Sequence, residues 1–298
     1  MSNDSWELSE ELRQIRDTVR RFMVNEVKPV EDRQPHDAYE LPTDELIALQ
    51  KKARDIGIWC VRSPEQYGGA GLNLLGQAMV AEEAAKCRMG AYVPACNAFG
   101  ADPPNAIYLG TDDQIKRYAL PAIEAGRKIY VAISEASGGA DPARSIRTRA
   151  VRQGDRYILN GSKMWITAAD GADWGLVFAR TGEQGDRGGI TCFIVNGVPK
   201  GMSMKPIPVI RSYSPYEITF QDVEVPVEDR LGAEGEGFAV CEKWLVEGRV
   251  PYAAGTIGIA QAALDIAIEW ARQRETFRSK LADKQAVQWM VADSEMEV

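Results

Sequence analysis

The chain has 298 residues, 45% of them hydrophobic and 26% charged, enough to bury a sizeable core in one large domain or two to three small ones. Lys and Arg number 35 against 43 Asp and Glu, and the resulting net charge of −8 offers no basic footprint for nucleic acid. Five scattered cysteines, never spaced as CxxC, and a single histidine, His36, argue against a disulfide frame, a metal site and a Ser-His-Asp triad.

The cysteines read as reduced buried thiols of a cytoplasmic protein. No apolar run approaches membrane-spanning length, so no membrane insertion is expected. The start, Met1 to Ser5, has neither a signal-peptide apolar region nor the Arg-rich character of a transit peptide.

Residues 1–126 read as a helical domain. Leu12, Ile15, Val19, Phe22 and Met23 keep helical spacing behind Ser9 as a cap. Leu46, Leu49, Ala53 and Ile56 repeat it between Thr43 as start and Gly57 as stop. A third helix is expected over Met79 to Ala85 and a fourth from Asp112 to Tyr118. Gly68, Gly69 and Gly71 lack the strand–GxGxxG–helix setting of a dinucleotide fold and read as a turn.

Near Ala125-Gly126 the hydrophobic period changes from 3.6 to 2, and residues 127–232 read as a β domain. Lys128 to Glu135 alternates like a half-buried strand and runs into a small-residue loop, Ala136 to Asp141. Arg147 to Val151 turns at Gly154-Asp155 into Tyr157 to Leu159. Asn160-Gly161 then predicts a second tight hairpin, leading into a strand from Lys163 to Thr167. Further strands are expected at Trp174 to Ala179, Ile190 to Val195, Met202 to Ile207 and Tyr216 to Phe220, with Gly182 to Gly189 an exposed loop.

If the first four strands share one sheet, Ser134 and Thr167 end neighbouring strands beside the glycine-bearing loop. Trp165 then lies one pleat away on the side of Thr167. Two hydroxyls, free backbone groups and a large flat ring can receive a planar, hydrogen-bonding cofactor. The same residues also fit a core aromatic with hydroxyls decorating strand ends, which is the commoner arrangement.

Helical spacing returns after Gly232 to Gly237, in a third domain over 233–298. Between Ile257 and Arg274 the polar Gln261, Asp265, Glu269 and Arg272 share one narrow stripe. This helix is therefore expected to be buried on several sides, as in a bundle or a subunit interface. Leu281 to Val298 reads as a helix with Val287, Met290, Val291, Ser294 and Val298 on one face. It ends without a stop signal, as expected of a chain cut short. The whole reads as an α+β multidomain protein: an all-α N-terminal domain, a β-sheet or β-barrel-like middle domain and a partial C-terminal helical bundle.

Five landmarks in order carry a resemblance to the acyl-CoA dehydrogenases. ISEASGGAD from Ile133 and GDRYILNGSKMWIT from Gly154 resemble TEPxAGSD and GDxYxINGxKxWITN of that family's flavin-binding middle domain. Ser63 to Leu72 is similar to IPEEYGGAGL, Gly110 to Lys116 to GTEEQK, and Phe220 to Pro226 to FxDVxVP. Arg274 to Phe277, with Gln285, resembles RxxFG and its following glutamine.

The resemblance implies an FAD-dependent oxidoreductase that dehydrogenates an acyl-CoA thioester across its α and β carbons. A carboxylate takes the α proton, and the β hydrogen leaves as hydride to the flavin. It implies that Val131, Ile133, Ser134, Ala140, Trp165, Ile166 and Thr167 line the flavin. Ile133 and Ser134 would meet its hydrogen-bonding edge, Thr167 would lie near N5, and Trp165 would pack on the ring. Arg274, Phe277 and Gln285 would reach the diphosphate and adenosine half of a neighbouring subunit's FAD, where a guanidinium forks onto two oxygens. Taken alone, Arg274 fits a solvated helix-end charge equally well. The implied partners are acyl-CoA, an electron-transfer flavoprotein or similar acceptor, and further copies of the chain in a homotetramer built as a dimer of dimers.

Departures from the family pattern bear on the substrate. Ala140 stands where a serine usually touches the thioester ligand, and Val246 where an aspartate usually contacts the pantetheine arm. Arg249 keeps the pattern, so Ala140, Glu247 and Arg249 are the candidate substrate-binding residues. Most members carry the catalytic base further along the chain, and a minority carry it at the position of Gly248. Glu247 is one residue off, and one residue turns a side chain about 100° around a helix. Glu247 is thus the sole candidate base and reads better as a solvated carboxylate, so the chain as given is expected to lack its catalytic base. The alternatives are a relative that uses flavin for oxygen chemistry, a base-less subunit of a hetero-oligomer, or a non-enzymatic binding scaffold.

Overall fold

The computed structural model describes residues 7–88, 90, 93–183, 188–210 and 214–298. It divides into two compact units, one of Met1–Lys52, Leu72–Ala98 and Arg249–Val298, the other of Ala53–Gly71 and Phe99–Gly248. The chain's first five residues, and 184–187 of the loop expected at 182–189, lie outside the described residues.

In the first unit, α1 (Glu10–Phe22) starts where Ser9 accepts a hydrogen bond from the Leu12 amide, and a wider turn at Met23–Val27 carries it into α2 (Lys28–Glu31). The helix α3 (Thr43–Asp55) follows, running across the boundary into the second unit. The helix α4 (Leu74–Ala84) begins five residues before its expected start, because Asn73 caps it by accepting from the Gly76 amide. Helices α1 and α4 are joined by a pair between Arg20 and the buried Glu83 at 2.6 Å, with Lys86 3.0 Å from the same carboxylate.

In the second unit the helical stretch before the sheet is broken into short pieces. The helix α5 (Asp112–Gln114) opens on a capping box between Thr111 and Gln114, and α6 (Leu120–Ala125) closes at the left-handed Gly126. The strands are β1 (Tyr130–Ala132), then, after a short α7 (Pro142–Ser145), β2 (Arg149–Gln153) and β3 (Arg156–Ile166). They continue with β4 (Trp174–Arg180), β5 (Ile190–Asn196), β6 (Met202–Pro206), β7 (Tyr216–Pro226) and β8 (Arg230–Leu231).

They form one mixed eight-stranded sheet in the order β6-β7-β3-β2-β4-β5-β8, with β1 parallel to β4. Every residue of β4 is buried, because apolar side chains cover the sheet on both faces. Tyr157, Leu159, Phe193 and Phe220 belong to one layer, and Ile107, Tyr118, Trp174, Phe178 and Ile194 to the other.

The Gly154-Asp155 hairpin is present, since β2 and β3 pair antiparallel from Gln153 opposite Arg156. The second hairpin, expected at Asn160-Gly161, is absent. The chain runs straight through as β3, and the dipeptide is instead an irregularity in its pairing with β7, between Leu159 and Gly161. Asn160 is held there by Asp222, its amide donating to the carboxylate at 3.0 Å and its carbonyl accepting the Asp222 amide at 2.9 Å. Paired on both sides, the segment cannot fold back on itself.

After the sheet comes α8 (Gly237–Gln273), whose last part belongs to the first unit. There Leu264 and Ala271 are buried, while Ile257, Ile266 and Trp270 remain 41%, 72% and 58% exposed. Among the described residues the single chain covers one side of this helix, which leaves the subunit-interface branch of the expectation. Two short strands, β9 (Glu275–Thr276) and β10 (Ser279–Lys280), make a tight hairpin before α9 (Gln285–Glu297). On α9 the half-buried residues include Val287, Val291 and Ser294, but Met290 faces out. Among the described residues no helix is long and apolar enough to cross a membrane.

Candidate active site

The end of β3 and the segment after β1 lie side by side. The Met164 amide donates to the Ser134 carbonyl at 2.9 Å, so Ser134 and Thr167 do end neighbouring chain segments, although by a straight strand and not by a hairpin. A second break in the β3–β7 pairing falls between Lys163 and Ile166. Trp165 sits in that break with φ +66°, and Ala168 beyond it has φ +64°. A non-glycine residue in this region is uncommon, and the twist takes Trp165 off the regular alternation of the strand. Its ring is 54% exposed instead of packed in the core. The core-aromatic reading of Trp165 is thus overturned.

Ile166 behaves oppositely. Its side chain is 3% exposed within the core, so only its main chain is open to a ligand. Val131 and Ile133 are half-buried at the edge of the other layer, and Thr167 is exposed.

Beneath this surface lies a polar brace whose members carry no functional motif of their own in the sequence. Lys163 is wholly buried, and its ammonium donates to the Ile133 carbonyl at 3.0 Å and to Glu135 at 2.8 Å. Glu135 also accepts the amides of Arg147 at 2.7 Å and Thr148 at 3.0 Å. Burial pulls Lys163 down to about 8, against the opposing charge of Glu135, and it stays cationic at neutral pH. Burial alone would raise the Glu135 carboxyl, but the Lys163 charge and the hydrogen bonds outweigh it and hold that group below its ordinary value. The available signal was strand parity, which puts Lys163 on the face of Tyr157 and Leu159.

The loop from Ala136 to Asp141 is closed by paired backbone bonds between Glu135 and Gly138. A methyl group on Gly138 would come 2.9 Å from the Ser145 Cβ, so the loop turns tightly against α7. Among the described residues the buried Ser145 hydroxyl finds no hydrogen-bond partner. Buried Arg180 donates to the carbonyls of Ala143 and Ile146, both at 2.9 Å, and fixes the segment from behind. An open flat ring, flanking hydroxyls and a tight glycine loop on a rigid support fit a planar, hydrogen-bonding group such as a flavin.

Glu247 is accounted for by its neighbours. Its carboxylate accepts from Asn105 and pairs with Lys243 at 2.7 Å. Partial burial works to raise its pKa, but those hydrogen bonds and the Lys243 charge leave it lowered. A carboxylate so held is a weak proton acceptor.

Arg249, Arg274, Phe277 and Gln285 belong to the other unit, and all four are exposed. Phe277 stands at the tip of the β9–β10 hairpin, 97% exposed, in a turn where both Phe277 and Arg278 have positive φ. That is the turn geometry favoured by two-residue hairpins.

Three family models match in succession: the acyl-CoA dehydrogenase N-terminal domain over residues 9–127, the middle domain over 131–223 and the C-terminal domain over 235–298. The chain is 32% identical to the short-chain specific acyl-CoA dehydrogenase of Clostridium acetobutylicum over 298 residues, covering 98% of this chain and 76% of the relative. The chain belongs to the acyl-CoA dehydrogenase family.

Another similar member is subunit CarC of the caffeyl-CoA reductase–Etf complex of Acetobacterium woodii, 33% identical over 96% of this chain and 75% of that one. Among solved structures, a glutaryl-CoA dehydrogenase of Mycobacterium smegmatis in complex with FADH2 matches with a TM-score of 0.78 at 27% identity. That match covers 96% of this chain and 72% of the other. The cofactor of the acyl-CoA dehydrogenase family is FAD, and the fold of this chain agrees with that assignment.

Proposed function

We propose that this acyl-CoA dehydrogenase family member is a cytoplasmic, FAD-dependent oxidoreductase acting across the α and β carbons of an acyl-CoA thioester. The observation that carries the reading is Trp165. It is a large aromatic left 54% exposed by a left-handed backbone, beside a segment braced by a buried lysine, within the span matched by the family's middle domain.

When bound, FAD supplies hydride chemistry that no side chain offers. The chain's own residues hold and orient it. Trp165 provides a flat face, Thr167 and Ser134 provide hydroxyls, and the main chain of Ile133 and Ile166, with Val131 and Ala140, completes the wall. Arg274, Phe277 and Gln285 are assigned to the diphosphate and adenosine half of the cofactor on a neighbouring subunit, which requires association, and a homotetramer built as a dimer of dimers is the proposed state. Phe277 on its rigid hairpin tip suits insertion into a second copy. Arg249 and Ala140 are assigned to the acyl-CoA, and an electron-transfer flavoprotein or similar acceptor is the expected electron partner. The division 1–126, 127–232 and 233–298 is proposed as the domain arrangement.

Trp165→Ala is expected to weaken FAD retention at least about tenfold, since a stacked ring contributes on the order of 1 kcal/mol beyond its buried area. Unchanged flavin release, followed by fluorescence, would remove Trp165 from the ring's wall.

Glu247 is assigned no base role, because Lys243 and Asn105 hold its carboxylate. Glu247→Gln should then leave the rate of flavin bleaching by a saturated acyl-CoA within about twofold. A loss of about 10²–10⁴-fold, typical of removing a general base, would make Glu247 the base after all.

A second reading rests on the CarC relative, whose name is that of a caffeyl-CoA reductase subunit. It keeps the same site and runs it in the reductive direction. The dehydrogenase and reductase names of the relatives favour hydride transfer over oxygen chemistry or a non-enzymatic scaffold.

A further inference from the structure

Three potential metal ligands converge in the first unit, far apart in sequence. The carboxylate of Glu31, at the end of α2, and the thiols of Cys87 and Cys96 have their ligand atoms all within 4.8 Å of one another. Glu31 and Cys96 are buried and Cys87 is half-buried. The Cys96 sulfur lies 3.5 Å from a Glu31 carboxylate oxygen. That equals the sulfur-to-oxygen edge of a tetrahedral zinc centre, about 3.5 Å for bonds of roughly 2.3 and 2.0 Å.

Cys96 is carried by an unusual backbone. Ala95, Cys96 and Asn97 are three successive non-glycine residues with φ of +51°, +50° and +68°. Such conformations persist where the surroundings impose them and cluster where a side chain must be aimed. The spacing of the two cysteines gives no sign of a metal motif, so only the fold brings them together.

The charges also suit a cation. The Arg88 amide donates to Glu31 at 2.8 Å and its guanidinium lies 3.8 Å away. Two thiolates and one carboxylate around a divalent ion would carry one net negative charge, which this guanidinium balances. We propose that Glu31, Cys87 and Cys96 form a binding site for a soft divalent metal ion of the zinc class, separate from the flavin site. Binding displaces one proton from each thiol, and Glu31 contributes a carboxylate oxygen.

A disulfide between the same sulfurs is the competing use of this cluster, and the placement of Glu31 favours the metal. A disulfide would use the two sulfurs alone, whereas the Cys96 sulfur also lies 3.5 Å from a Glu31 carboxylate oxygen.

The test is a titration of the reduced, metal-stripped full chain with Cd²⁺, following thiolate-to-cadmium charge-transfer absorption, and then displacement by Zn²⁺. The expected result is one saturable equivalent per chain, lost when Cys87→Ser and Cys96→Ser are combined. Glu31→Gln should weaken it at least about tenfold, with circular dichroism reporting that each variant folds. Should the double variant fail to fold, Cys87→Ala, at the half-buried position, must still weaken binding at least about tenfold. No saturable band in the parent, a band that survives the cysteine changes, or a Cys87–Cys96 disulfide that forms despite saturating Zn²⁺ would each overturn the proposal.

Discussion

Lys163 and Glu135 bear the strongest constraint on single residues near the proposed cofactor wall. Replacing one partner of a buried pair strands the other charge, which costs roughly 3–5 kcal/mol. Lys163→Met is therefore expected to lower the urea midpoint sharply and to loosen FAD in any protein that folds. Glu135→Gln adds a pH signature. Its carboxyl is held below the ordinary value, so its contribution to stability is fully present above the unfolded value of 4.5. The contribution disappears as pH falls through the folded value. The gap in unfolding free energy between parent and Glu135→Gln should be widest near pH 7 and shrink as pH falls below 4.5. A gap independent of pH would mean the carboxylate's charge is not what matters.

At the scale of the element, β3 decides how the site is built. It passes unbroken from the β2 hairpin to Trp165, with two breaks in its pairing to β7. The first depends on Gly161, whose φ is +143°, and a methyl group there would lie 2.6 Å from the Thr148 Cα. Gly161→Ala should cost roughly 1–3 kcal/mol through strain and backbone displacement, read as a lower midpoint in urea. Because Thr148 also donates its amide to Glu135, the same change should disturb flavin retention. A variant as stable as the parent would show that the strand tolerates a regular ladder at this point. The dipeptide Asn160-Gly161 also shows the limit of local reading. It is a strong hairpin signal in isolation, but Asp222 and the ladder to β7 leave it no partner for a turn.

For the whole molecule, the uncovered apolar surface of the first unit is the telling feature. Ile266 and Trp270 on α8, Phe277 on its hairpin, and Trp289, Met290 and Met296 on α9 are all more than half exposed. Large exposed aromatic and aliphatic groups in such number mark surfaces that meet other protein. Light scattering at micromolar concentration is expected to give a mass above the 32.8 kDa of a single chain. A stable monomer that keeps full FAD would remove the roles assigned to Arg274, Phe277 and Gln285.

Much of this protein was legible in the linear pattern. Helix starts at Ser9 and Thr111-Gln114, the strands Trp174–Arg180 and Ile190–Asn196, and the change of period near Gly126 all follow from short-range chemistry. Caps and alternation involve residues a few positions apart, so neighbours in sequence suffice to specify them. Motif order along the chain was enough to indicate the acyl-CoA dehydrogenase family and its cofactor. Only the tertiary structure decided that Trp165 faces out, that Asn160-Gly161 is a break in pairing and not a turn, and that Lys163 props the Ile133 carbonyl. It alone brought Glu31 to Cys87 and Cys96. Each of these depends on partners dozens of residues away, whose approach is set by packing and pairing across the fold and leaves no periodic trace in the chain.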